Sequence, residues 1–291
     1  MIMVAITDFA VKEKSQWCVG CGDFAIVGAL KQALNELQIP SHQTVISSGI
    51  GCSGKTPHYL NVYGFEGLHG RALPVASGIK LANNKLNVIA LGGDGDGYGI
   101  GAGHLVHIMR RNYDIAYIVH DNQIYGLTTG QASPTTQVGM KTKTTPGGVV
   151  ESQFNPMASA IVNGATWAGR AFAGDILHLK AMMKEAIAHR GFALLDVLQP
   201  CVTFNKLNTY DFFTKRCYKL QEAGHDASDR QKALEKAFED LGSGYEKIPV
   251  GVFYKVDKPT YEDTIPWIKE KALVEHPLDN IDISPAYHDL E

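Results

Sequence analysis

The sequence predicts an α/β fold: a parallel sheet with helices on both faces, followed by an irregular C-terminal extension. Three observations carry this expectation. Strand-like runs (Thr44–Ser48, Val88–Leu91, Ile115–Val119, Phe192–Leu198) alternate with stretches of helical periodicity, and that alternation builds a parallel sheet covered on both faces. The central runs end in glycine-rich and polar loops, Gly92-Gly93-Asp94-Gly95-Asp96-Gly97 after the second and His120-Asp121-Asn122 after the third. Open parallel sheets bind ligands beyond the carboxyl ends of their strands, which places Asp94 and Asn122 near one another. From about Asn208 the pattern changes to charged helix-like runs (Asp229–Asp240) broken by isolated prolines and aromatics. The chain is therefore expected to divide into a domain over residues 1–207 and an extension over 208–291. That extension has no core of its own and wraps the domain or a partner.

Taken in order, Trp17-Cys18-Val19-Gly20-Cys21-Gly22 precedes a helix with Asp23 as its N-cap. Phe24, Val27, Leu30, Leu34 and Leu37 fall at helical spacing, and Pro40 stops the run. The strand Thr44–Ser48 leads into Gly49-Ile50-Gly51-Cys52-Ser53-Gly54-Lys55, so a third cysteine lies on a strand-end loop, the same kind of place as Asp94. Turns around Tyr63-Gly64-Phe65 lead to Leu68-His69-Gly70-Arg71, and Pro74–Leu81 is expected to form a small-residue helix packed closely on the sheet. Ala102–Arg111 is helix-like. The Thr-, Gly- and Pro-rich loop Thr129–Val149 is long for a connection, which argues for function or mobility. Further helices are expected from Asn155 and over Ile176–His189, with Ala165–Phe172 continuing the alternation.

A chain of 291 residues that is 45% hydrophobic and 20% charged has enough apolar material for one sizeable core. Its net charge of −3 gives no electrostatic case for nucleic acid or an anionic membrane. No apolar run reaches the roughly 18 residues of a membrane helix. The start, MIMVAITDFAVKEK, lacks the basic flank and long apolar region of a secretory signal, so a cytoplasmic location is expected. An odd number of cysteines does not suggest a disulfide framework, and a Cys-x-x-Cys pair in such a chain reads first as metal or redox chemistry.

Three interpretations compete for the stretch Val88–Thr128. Gly97-Tyr98-Gly99-Ile100-Gly101-Ala102 fits a dinucleotide fingerprint, with Asp121 at about the right offset. However, the fingerprint wants its turn immediately after the strand, and Gly/Asp residues intervene. A purely structural turn needs glycines but has no use for two acids among them. The third is a magnesium–diphosphate site. Mg²⁺ takes oxygen ligands and is commonly held by one or two side chains plus phosphates. Asp94 and Asn122, with a backbone carbonyl just beyond Asn122, would supply those oxygens. The glycines would let N–H groups and a helix N-terminus approach the phosphates. Separately, Cys18, Cys21, Cys52 and Cys201 all fall on loops of the expected sheet. Four thiolates suit zinc or an iron–sulfur cluster, and spacing does not separate the two. Cys217, in a charged segment, reads as a small buried hydrophobe.

The residues also carry a resemblance. Gly93-Asp94-Gly95, followed after 28 positions (94 to 122) by Asn122, resembles the thiamine-diphosphate motif. Together with WCVGCG, SGIGCSGKTPHY, LHGRALPVASGIKLAN, GDGDGYGIG and HDNQIYGLTTGQASPTT, it resembles the beta subunit of 2-oxoacid:ferredoxin oxidoreductases over about 17–136 and 199–205. The resemblance implies a thiamine-diphosphate-binding fold and CoA-dependent oxidative decarboxylation of a 2-oxoacid, reversible as reductive carboxylation. 2-Oxoglutarate is favoured over pyruvate, and electrons pass through one 4Fe–4S cluster to ferredoxin. It implies cluster ligation by Cys18, Cys21, Cys52 and Cys201, and Mg²⁺ on Asp94, Asn122 and the Ile124 carbonyl. The implied cofactor wall comprises Ile50, Gly51, Cys52, Ser53, His69, Gly93, Asp94, Gly95, Asp96, Asn122, Tyr125, Gly126, Leu127 and Thr128. His69, Arg71 and Lys55 are implied to orient the ring or hold substrate. In this family the carboxylate that activates the cofactor comes from a separate alpha subunit, so an αβ or (αβ)2 assembly is implied, with coenzyme A as co-substrate. Two alternatives stand beside it: a non-oxidative thiamine decarboxylase or ligase subunit, which has no reason to keep four cysteines, and a zinc-stapled binding subunit, which needs no GDG…N pair.

Overall fold

The computed structural model describes residues 3–277, 279 and 281–288. The ends of the two expected segments, residues 1–2 and 289–291, lie outside the described residues. The strands are β1 (Thr44–Ser48), β2 (Tyr63–Glu66), β3 (Asn87–Gly93), β4 (Ala116–Asp121), β5 (Trp167–Phe172), β6 (Ala193–Leu198), β7 (Cys217–Lys219) and β8 (Ile248–Lys255). They form one eight-stranded sheet in the order β2-β1-β3-β4-β6-β5-β8-β7. The first six in that order are parallel to their neighbours. Chain order reverses between β1 and β3, since β2 is laid on one side of β1 and β3 on the other. Such a switch point is where crevices open in sheets of this kind.

Side chains of a strand alternate between faces, and each face of the central strands is apolar. Ile89, Leu91, Ile118 and Leu195 pack with α1 (Asp23–Glu36) and α5 (Ile176–Ala188) in one layer. Val88, Ala90, Tyr117, Val119 and Leu194 pack with α2 (Ala72–Ala82), α3 (Ala102–Arg111) and α4 (Pro156–Asn163) in the other. Each fully buried aliphatic side chain contributes about 1.5–3 kcal/mol. The predicted helices and strands therefore recur to within a few residues, because double-sided burial leaves a continuous apolar signal in the sequence.

Two expectations change. Asp23 is not an N-cap: Gly22 occupies that position, and Asp23 is the first residue inside α1, its side chain making no capping bond. A carboxylate caps a helix only where it can turn back to the N–H groups, whereas this one is fully buried against His120. The buried stripe of α1 runs through Ile26, Val27, Leu30, Ala33 and Leu34, while Phe24 is 44% exposed and lies edge-on to Trp17.

The second change concerns the C-terminal extension, which is only partly irregular. β8 pairs antiparallel with β5 and β7 runs parallel beside it. Phe253 is fully buried in the same core layer as Phe192 and Leu194, under α7 (Arg230–Ala237). Beyond β8, Asn112 Nδ2 donates to the Pro259 carbonyl, and Asn84 Nδ2 to that of Ile268. The strand escaped the pattern because Pro249, Gly251 and a register shift in the β5–β8 pairing mask its alternation. Phe253→Ala should destabilise the chain by about 3–5 kcal/mol in denaturant titration, whereas a merely wrapped tail would tolerate the change.

Candidate active site

The loops after β1, β3 and β4 meet at the switch point. β3 and β4 are in register with Gly93 opposite His120, so Asp94 leaves β3 level with Asp121, and Asn122 follows one residue further on. Together the loops line a cavity open to solvent on one side. Every residue named from the sequence as cofactor wall borders it, from Ile50–Ser53 through His69 and Gly93–Asp96 to Asn122 and Tyr125–Thr128. His120 and Ile124 border it as well.

The floor is a one-turn π-helix, Gly95–Ile100, that follows β3 directly. The Tyr125 ring lies against Gly95 and donates its hydroxyl to the Gly95 carbonyl at 3.1 Å. A Cβ on residue 95 would sit 2.1 Å from Tyr125 Cε1, so only glycine fits. Asp96 ties the loops together: its Oδ1 accepts from Gly70 N at 2.7 Å and from Ile50 N at 3.1 Å. His69 Nδ1 lies 3.9 Å away. Burial raises the Asp96 carboxyl above its usual range, opposed by those two N–H groups and His69.

Asp94 is 2% exposed. Its Oδ2 accepts from Ser133 Oγ and, at 2.7 Å, from Thr135 Oγ1, which also lies 2.7 Å from Asp121 Oδ1. Burial pushes the Asp94 carboxyl up to about 6, and these hydroxyls pull it back. Asn122 Oδ1 accepts from Ile124 N at 3.1 Å, and the Asn122 carbonyl accepts from Asn205 Nδ2 at 3.0 Å. The start of the loop Thr129–Val149 is thus anchored under the site through Ser133, Thr135 and Thr136, all buried. These supporting hydroxyls were not legible beforehand, because nothing in a Thr/Ser-rich loop marks which side chains turn inward.

Of the cysteines, Cys52 borders the cavity and Cys201 lies near it, behind Gly126. A Cβ on Gly126 would lie 3.5 Å from Cys201 Sγ and 3.9 Å from Cys52 Sγ. The loop carrying Cys18 and Cys21 packs on that of Cys201: Gly22 N donates to the Pro200 carbonyl, and Gln199 Nε2 donates to Cys21 Sγ at 3.0 Å. Trp17 Nε1 donates to the Cys52 carbonyl at 2.8 Å. Burial, then the Asp23 carboxylate, push the Cys52 thiol up to about 12, opposed by the Lys55 ammonium. Burial raises Cys21 and Cys201 too. Among the described residues, no three His, Cys, Asp or Glu side chains are gathered closely enough for a single metal ion.

Two named residues stand apart. Arg71 is exposed at the N-cap position of α2, and its guanidinium pairs with His104 on α3. It does not border the cavity. Lys55 also lies off the cavity wall, beside Cys52. Conversely, Ser53 Oγ, Asp96 Oδ2 and His120 Nε2 are buried atoms of cavity-lining residues without a partner. Each such atom costs about 1–3 kcal/mol if left unpaired, which suits a polar ligand.

A glycine-floored, acid-bearing pocket at a switch point is the site of a cofactor-binding α/β protein, and comparison with known proteins narrows the class. Residues 41–197 match the family described as thiamine pyrophosphate enzyme, C-terminal TPP binding domain. Residues 201–270 match the C-terminal family of pyruvate ferredoxin oxidoreductase beta subunits. The chain is 44% identical to 2-oxoacid:ferredoxin oxidoreductase 1, subunit beta, of Aeropyrum pernix, over 97% of this chain and 88% of that one. It is 46% identical to the 2-oxoacid:ferredoxin oxidoreductase subunit beta of Saccharolobus solfataricus, over 87% and 86%. A solved 2-oxoglutarate:ferredoxin oxidoreductase from Magnetococcus marinus, with 2-oxoglutarate, coenzyme A and succinyl-CoA bound, superposes with a TM-score of 0.90. It is 38% identical, over 99% of this chain and 96% of that one. The chain belongs to the beta subunits of the 2-oxoacid:ferredoxin oxidoreductases.

Gly95→Ala should displace Tyr125 and abolish measurable thiamine diphosphate binding in calorimetry while leaving the far-UV circular dichroism unchanged.

Proposed function

We propose that this subunit carries out CoA-dependent oxidative decarboxylation of a 2-oxoacid, with 2-oxoglutarate ahead of pyruvate, and passes the electrons through one 4Fe–4S cluster to ferredoxin. The observation that carries the reading is the junction of two features on one cavity: the Asp94–Asn122 pair at the ends of β3 and β4, and cysteine thiols around Gly126. The substrate preference draws support from the Magnetococcus marinus structure, whose ligands include 2-oxoglutarate.

Asp94, Asn122 and the Ile124 carbonyl would hold Mg²⁺ and through it a diphosphate, an all-oxygen set suited to that ion. Cys18, Cys21, Cys52 and Cys201 would each bind one iron. When bound, thiamine diphosphate supplies an electron sink for decarboxylation and the cluster supplies a one-electron acceptor. The chain itself does the positioning. Tyr125 and Gly95 shape the floor, His69 on the cavity wall orients ring or substrate, and Lys55 sets positive charge beside Cys52 for the substrate carboxylate. The activating carboxylate comes from an alpha subunit seated over the cavity. Ile50, Leu68, Ile100 and Leu127, apolar and exposed on the loops about the cavity, suit such a cover. Residues 208–291 act as an extension of the binding domain, and the setting is cytoplasmic.

The deciding experiment is anaerobic purification followed by iron, sulfide and zinc analysis, then turnover with and without the alpha subunit. About four irons and four sulfides per chain, with CoA-dependent reduction of ferredoxin only when alpha is present, are expected. Stoichiometric zinc with no visible absorption band would remove the electron acceptor and overturn the reading.

A second measurement concerns pH. Asp94 binds a cation only when ionised, and its carboxyl titrates near 6. Mg²⁺-dependent thiamine diphosphate affinity should therefore be flat above that value and fall about tenfold per pH unit below it. Asp94→Asn should lose the affinity at every pH.

A further inference from the structure

Outside the groups already assigned, Asp23 and His120 form a fully buried titratable pair beside the cavity. Asp23 is fully buried and His120 is 1% exposed. His120 Nδ1 lies 2.7 Å from Asp23 Oδ1, and Cys21 Sγ donates to Asp23 Oδ2 at 3.3 Å. His120 borders the cavity, and its Nε2 is buried without a partner. A residue whose task was only to pair with Asp23 would have no need to leave its second ring nitrogen buried and unpaired.

We propose that His120 is a further residue contacting the cofactor through Nε2, and that Asp23 is its positioning residue, fixing the ring through Nδ1. This rests on the reading of that cavity as a thiamine diphosphate site. With Nδ1 taken by Asp23 Oδ1, Nε2 is the ring nitrogen left for a ligand. The ligand group it takes is an amino or hydroxyl group, either of which can pair with a ring nitrogen. Asp23 opens α1 directly after the loop that carries Cys21, so the carboxylate that holds the His120 ring is carried by the chain of the cysteine loop. The orientation of His120 is thereby tied to the seating of that loop, as second-layer partners orient ligating groups elsewhere.

Two isosteres separate this role from a structural one. His120→Asn keeps an amide where Nδ1 stands, satisfying Asp23, but does not reach the cavity. His120→Gln reaches the Nε2 position. The full chain is purified anaerobically with its alpha subunit, and thiamine diphosphate affinity is measured by calorimetry, with iron content and melting temperature recorded alongside. His120→Asn is expected to weaken binding about tenfold, and His120→Gln to stay within about threefold of the parent. Asp23→Asn, which removes the carboxylate that fixes Nδ1, is expected to weaken binding by a similar factor, and the double variant Asp23→Asn/His120→Asn to add nothing further. Parental affinity in His120→Asn, equal losses in the Asn and Gln variants, or additive losses in the double variant would each overturn the proposal. A variant that lost iron or melted early would count as structural and against it. Absence of thiamine diphosphate binding by the parent complex would instead bring down the reading of the cavity itself.

Discussion

The parallel pairing of β3 with β4 is the constraint on which the rest of the site depends. Because Gly93 stands opposite His120, Asp94 emerges level with Asp121, and Asn122, one residue on, borders the same cavity as Asp94 from a second backbone. A shift of one residue would turn Asn122 to the opposite face of the sheet and leave Asp94 alone. What prevents the shift is burial on both sides. Ile118 and Ile89 lie in one core layer while Val119 and Val88 lie in the other, so no alternative register buries the same apolar area. The position of the oxygen ligands is thus set by side chains that never touch the site.

Concentrating acids at strand ends has an electrostatic consequence that the C-terminal segment resolves. Asp94, Asp121 and Asp196 are all buried, and burial raises each carboxyl. Arg170 on β5 answers them, with Nε 2.9 Å from Asp196 Oδ2 and Nη1 2.8 Å from Asp240 Oδ2. Tyr98 adds a hydroxyl to Asp196 at 2.9 Å. A buried guanidinium is tolerated only when its charge and donors are matched, and Asp240, after α7, supplies the second match. The segment beyond residue 208 therefore belongs to the same electrostatic unit as the cavity, as well as to the same sheet.

Legibility in the sequence followed the periodicity of burial. Strands β1, β3, β4 and β6 and helices α1, α3 and α5 are visible because doubly buried strands read as unbroken apolar runs. The glycine–acid loops are visible because their composition suits little except a close approach of backbone to ligand. Less visible was what depends on where a particular side chain turns. Asp23 has the sequence context of a cap and the environment of a buried ion-pair partner. Arg71 sits beside His69 in the chain, yet its guanidinium pairs with His104 on α3. Ser133 and Thr135 look like any loop hydroxyls until they are seen gripping Asp94. β8 was hidden by its glycine, its proline and its antiparallel direction.

The cysteine side of the cavity obeys the same logic from the opposite charge. Cys21, Cys52 and Cys201 are thiols that burial makes reluctant to ionise, and the nearby Asp23 carboxylate makes them more so. Such a pocket opposes bare thiolates and favours them only when positive charge arrives with the ligand, which is what bound iron provides. The oxygen side asks for the same thing: Asp94 and Asp96 are buried acids held by hydroxyls and N–H groups, with the His69 ring beside Asp96. Both walls of the cavity are short of positive charge, and a divalent ion on one side and iron on the other would relieve both. Metal loading should therefore stabilise the loops after β1, β3 and β4 together, since Cys52 and Ser53 on the β1 loop belong to both walls.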